Sequence, residues 1–101
     1  MDSVEQIKQT LVPIFAKEPI QKAILFGSYA RGTHTDTSDV DIVIDSRGHL
    51  IGLDFFRVLD EIIQALRIDV DLFEAAEIMT ESLMEKTIMN EGITLYERKV
   101  A

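Results

Sequence analysis

Two carboxylates one residue apart at the head of an aliphatic run, Asp39 and Asp41 in SDVDIVID, restrict the folds open to this chain more than any other feature. Successive side chains of a strand point to opposite faces, so Asp39, Asp41 and Val43 share one face while Val40, Ile42 and Ile44 share the other. Burying both faces would strand two charges in apolar surroundings. The strand is therefore half core and half polar site, in a sheet whose other side is covered. Upstream, KAILF reads as a short buried strand that stops at Gly27, and GSYARG follows as a tight turn with a possible helical turn behind it.

The flanking segments supply the cover. Val4, Ile7, Leu11, Ile14 and Phe15 recur at helical spacing, with Ser3 and Gln6 placed as a capping box and Pro13 expected to bend or end the helix. RGHLIGL reads as a turn. Phe55, Phe56, Leu59, Ile62, Ile63 and Leu66 then form a second helical stripe that covers the sheet. IDVDLF, residues 68–73, alternates again, with Asp69 and Asp71 on one face and Val70 and Leu72 on the other. One helix is expected over 75–90, ended by Gly92, with Met79, Met84 and Met89 packing partly into the core, and ITLYER adds a last short strand. This order predicts an α+β fold, a small mixed β-sheet flanked by helices, as a single domain over 1–101.

Charge and composition narrow the chemistry. Ten Lys and Arg against 18 Asp and Glu leave a net charge of -8, which repels a phosphate backbone and argues against direct nucleic-acid binding. The absence of cysteine excludes disulfides, thiolate metal sites and a thiol nucleophile. The N-terminus lacks the basic start and apolar core of a signal peptide, and no apolar run reaches membrane-spanning length. A cytoplasmic location is expected.

What remains is suited to a nucleoside triphosphate. Phosphate oxygens need backbone N–H donors, and a glycine lets the backbone come close, which Gly27 and Ser28 offer. Mg²⁺ keeps several waters and takes one or two protein carboxylates together with substrate phosphates. Asp39 and Asp41 share a face, and a third carboxylate, Asp71 or Asp69, comes from the other acidic strand. Arg31 either contacts the triphosphate or makes an ion pair with Asp39 or Asp45. His34 and His49 receive no role.

The Gly27-Ser28 pair, the Arg31-Gly32 pair and Asp39-Val40-Asp41, followed by the VDLF strand, resemble the signature of the nucleotidyltransferase superfamily related to DNA polymerase β. With the chain length and element order, they are similar to the minimal nucleotidyltransferases of bacteria and archaea. The resemblance implies that Gly27, Ser28 and Arg31 bind nucleotide. It also implies that Asp39, Asp41 and Asp71 are catalytic and hold two Mg²⁺ ions, with ATP as substrate. It further implies a partner, a HEPN-domain toxin, which the small protein neutralises as an antitoxin by adding AMP to a tyrosine, in a homo- or hetero-oligomer. Two rival readings are an antitoxin that only binds and masks its partner and a small-molecule nucleotidyltransferase. The second normally needs a further domain for which this chain lacks the length.

Overall fold

The computed structural model describes residues 3–99; the expected span of 1–101 includes four residues outside these. The elements are α1 (Val4–Lys17), β1 (Lys22–Phe26), α2 (Ser28–Arg31), β2 (Val40–Asp45), α3 (Leu53–Leu66), β3 (Val70–Glu74), a 3-10 turn (Ala75–Glu77), α4 (Leu83–Glu91) and β4 (Ile93–Glu97). The four strands form one sheet in the order β3-β2-β1-β4. β1 runs antiparallel to β2 and β4, while β2 and β3 are parallel. The sheet is thus mixed, as the order of elements predicts. The parallel pair needs a crossover, and α3 supplies it.

One face of the sheet carries the core. Ile42 and Ile44 of β2, Leu25 of β1 and Leu95 of β4 are buried together with Ile7, Leu11 and Phe15 of α1 and Val58 and Ile62 of α3. The expected stripe of α3 is rotated from what spacing alone suggests. Val58, Ile62 and Leu66 are the buried positions, Phe55, Leu59 and Ile63 are partly buried, and Phe56 is exposed.

Ser3 and Gln6 form the capping box of α1. Pro13 neither ends that helix nor stops its next turn, because it lies on the solvent side, where the carbonyl that loses its N–H partner belongs to exposed Gln9. The expected helix over 75–90 is two pieces. The chain leaves β3 in a 3-10 turn, and α4 starts only after Ser82, whose hydroxyl accepts from the Glu85 N–H at 3.1 Å. The partial burial expected for the methionines holds for Met84, whereas Met79 and Met89 are each 77% exposed. Ser82→Ala removes the cap and is expected to cost about 1 kcal/mol, read as a drop of a few degrees in Tm.

Candidate active site

The end of β1 and the start of α2 make a turn that only glycine can occupy. Gly27 has φ 77° and ψ -156°, a region closed to side chains by their own Cβ. A Cβ on Gly27 would also lie 2.2 Å from Oδ2 of Asp41. The carboxylate of β2 therefore rests directly on the backbone of the turn. Arg31 N–H donates to the Gly27 carbonyl at 3.1 Å and Thr33 N–H to the Ser28 carbonyl at 3.0 Å, which close α2 as a single turn before Gly32. Ser28 is half-buried beside this turn.

Register brings the acidic residues together from distant segments. Phe26 is the β1 partner of Asp41, and Asp71 is its β3 partner. Asp41 and Asp71 are close enough for a hydrogen bond between their carboxyl groups, which requires a proton on one of them. Burial pushes the Asp41 carboxyl up to about 6, and the neighbouring charges of Asp71 and then Asp39 add to this. Asp69 takes a different place. It precedes β3, its carbonyl accepts from Val40 N–H at 2.9 Å, and it lines a polar hollow with Asp36, Asp39 and Arg67. Of the two alternatives on that strand, Asp71 is the carboxyl in contact with Asp41.

Arg31 pairs neither with Asp39 nor with Asp45; its guanidinium meets Glu91 of α4 at 2.9 Å. It stays near enough for its charge to oppose, in part, the upward push on Asp41. Tyr29 is buried, and the ring of His34 stacks on it at 4.0 Å with the planes 7° apart. This stack anchors the loop between α2 and β2, and the Nδ1 atom of His34 is buried there without a hydrogen-bond partner. Sequence reasoning missed it because a histidine in a polar loop carries no periodicity to place it.

Glu74 was also missed. It closes β3, is buried, and accepts from the Ser46 hydroxyl, from Ser46 N–H at 3.2 Å and from Ala75 N–H at 2.9 Å. It ties the far end of β3 to the turn after β2, so the strands that carry Asp41 and Asp71 are pinned beyond the acidic edge.

Among the described residues, no group of three or more His, Cys, Asp or Glu side chains could hold a metal ion by itself. Mg²⁺ does not require such a cage, since phosphates and water complete its shell. The neighbouring carboxyls of Asp41 and Asp71 fit a cation, because a divalent ion between them would remove the like-charge repulsion.

A glycine turn seated under a carboxylate, on a mixed sheet with acidic residues at one edge, defines a small α+β domain. Residues 6–101 match the family model described as polymerase beta, nucleotidyltransferase, and the chain belongs to that family. It is 32% identical over 91 residues to a Methanocaldococcus jannaschii protein whose name marks it as an inferred protein adenylyltransferase, covering 90% of this chain and 96% of that one. In fold it is similar to a chain of a toxin-antitoxin crystal structure with AMP-PNP, at TM-score 0.78 and 23% identity, over 91% of this chain and 74% of that chain. A chain of the complex of the tri-AMPylated Shewanella oneidensis HEPN toxin with MNT antitoxin gives TM-score 0.72 at 20% identity, over 93% and 72%. The protein is a nucleotidyltransferase.

Proposed function

We propose that the protein transfers AMP from ATP to a hydroxyl acceptor, a tyrosine of a HEPN-domain toxin, in a Mg²⁺-dependent reaction, and so acts in the cytoplasm as the antitoxin of a pair. The observation that carries this reading is the seat of the Asp41 carboxylate on Gly27, with Asp71 beside it. It sets a turn suited to phosphate oxygens beside an edge suited to a cation.

In this reading the backbone of the Gly27 turn and the Ser28 hydroxyl donate to the triphosphate oxygens. Arg31 adds a positive charge beside them. Asp39, Asp41 and Asp71 would hold Mg²⁺, which supplies Lewis acidity at the α-phosphate and neutralises the leaving pyrophosphate. Asp71 accepts the proton of the acceptor hydroxyl as its oxygen bonds to the α-phosphorus and the bond to pyrophosphate breaks. The names of the similar proteins support the nucleotide and the partner: one is a protein adenylyltransferase by name, and two are toxin-antitoxin complexes, one of them with an AMPylated toxin.

Incubation of the purified chain with ATP, Mg²⁺ and a HEPN partner, followed by intact-mass measurement, is the direct test. AMP-sized additions to the partner, lost in Asp39→Asn/Asp41→Asn, are expected. Neutralisation of the toxin retained by that double variant, with no added mass, would instead establish masking. Labelling of a small molecule in place of the partner would establish the third reading.

A further inference from the structure

An apolar groove lies along the outer side of β3 and α3, and none of Asp39, Asp41 and Asp71 lines it. Two hollows of about 410 and 220 Å³ adjoin, since Phe55, Glu74 and Glu77 line both. The larger is walled by Leu72, Phe73, Ile78, Met79 and Met84, and the smaller by Leu50, Ile51 and Phe56. Around them the large apolar side chains turn outward. Ile51 is 69% exposed, Phe56 61% and Met79 77%, while Leu53 and Leu83, next in sequence to lining residues, are 88% and 82% exposed. Isolated exposed hydrophobics are ordinary, but a continuous set around a concave surface marks a place where another surface is excluded from water.

The charge around the groove selects the occupant. Glu77 lines both hollows, and Asp54, Glu81 and Glu85 are each next in sequence to a lining residue, Phe55, Ser82 and Met84. Against these, Arg57 is held by Glu18 at 2.9 and 3.1 Å and lies 3.8 Å from Asp54, Arg47 lies on the turn ahead of Leu50, and Lys86 is two residues past Met84, on the other side of its helix. A second copy of the chain docking through the same face would set one acidic rim against another, on molecules of net charge -8. A membrane-binding face needs a basic rim, the reverse of what is found. Side-chain walls with two neighbouring hollows suit the successive anchors of one helix face, and methionines adapt to the shapes of such anchors.

We infer that this groove docks an amphipathic helix of a partner protein, one whose apolar stripe is flanked by Lys and Arg. The helix seats large apolar side chains in the two hollows, and its basic flanks meet Glu77, Glu81 and Glu85. The docking stands whether or not the partner is also the acceptor of the nucleotide.

A fluorescent synthetic helix of about 18 residues, Leu on one face and Lys on the other, is the probe, read by anisotropy. Wild-type protein is expected to bind it at least ten times more tightly than Phe56→Ser/Met79→Ser, with far-ultraviolet circular dichroism confirming that the variant is folded. The same helix with Glu in place of Lys is expected to bind at least ten times more weakly. Asp41→Asn should bind the Leu/Lys helix as wild type does, so loss of nucleotide transfer and loss of docking are read separately. Equal binding by wild type and the groove variant, or equal binding of both helices, overturns the inference. So does self-association in sedimentation equilibrium that Phe56→Ser/Met79→Ser abolishes, or flotation of the wild-type chain with anionic phosphatidylglycerol vesicles.

Discussion

Asp41→Asn is expected to lower nucleotide transfer roughly a thousand-fold and, in metal-free buffer, to raise the melting temperature of the protein. The two effects have one origin. The Asp41 carboxyl is pushed up to about 6 by burial and by the charges of Asp71 and Asp39, so its ionised form is disfavoured in the folded state. An unfolded Asp titrates near 4, and a folded value above that means the protonated group stabilises the fold below about pH 4. That contribution is lost as pH rises through about 6. Asparagine carries no charge to be repelled, so the variant should gain on wild type between these limits and hold a constant lead above them. Allowing for the water that still screens the carboxylate, the lead is about 1 kcal/mol, or roughly 5 °C at pH 7.5 in EDTA. At pH 4 the two melting curves should coincide. Mg²⁺ with a non-hydrolysable ATP analogue should reverse the order, because only wild type gains ligand-linked stability. A variant no more stable than wild type in EDTA at pH 7.5 would show that the carboxylates do not repel, which removes the physical case for a cation there.

Gly27→Ala is expected to damage both stability and nucleotide binding. The new Cβ would lie 2.2 Å from Oδ2 and 3.1 Å from Cγ of Asp41, on a residue whose φ of 77° and ψ of -156° suit glycine alone. Backbone strain and displacement of Asp41 together should cost about 3 kcal/mol, or roughly 15 °C in Tm. Gly32→Ala separates the two causes. Gly32 also has φ 77°, but in the ordinary left-handed region and with nothing within 4 Å of the added Cβ. It should lose about 1 kcal/mol and keep nucleotide affinity. Thermal melts with and without the ATP analogue distinguish the variants. Equal losses in both would mean that the contact of Gly27 with Asp41 has no special weight.

The parts of this fold legible in the sequence were those written in a simple period. The alternation of SDVDIVID gave β2, its core face and its acidic face, and VDLF gave β3 and Asp71. The Gly27-Ser28 pair, at the end of an apolar run, placed the turn. The reading failed where two signals overlapped. Ile78, Met79, Leu83 and Ile88 suggest one continuous helix, yet Ser82 and Glu85 spell a helix start inside it, and the cap prevailed over the periodicity. Pro13 misled in the opposite direction, since its cost depends on which side of the helix it faces. The partner of Arg31 was beyond reach for another reason. Glu91 is sixty positions away, and nothing local in the sequence announces a contact made only when α4 packs beside α2.

The alternation of β2 also sets where the chain tolerates changes of length. Past the anchored His34, between Thr35 and Ser38, the backbone runs outside the sheet, so residues can be added there without moving either strand. One residue inserted between Val40 and Ile44 has a different consequence. Every side chain beyond it changes sides, which turns the Asp45 carboxylate toward the core and, where the insertion precedes Asp41, takes that carboxylate off Gly27 as well. Lineages of this fold should therefore vary in length at the loop and never within the strand.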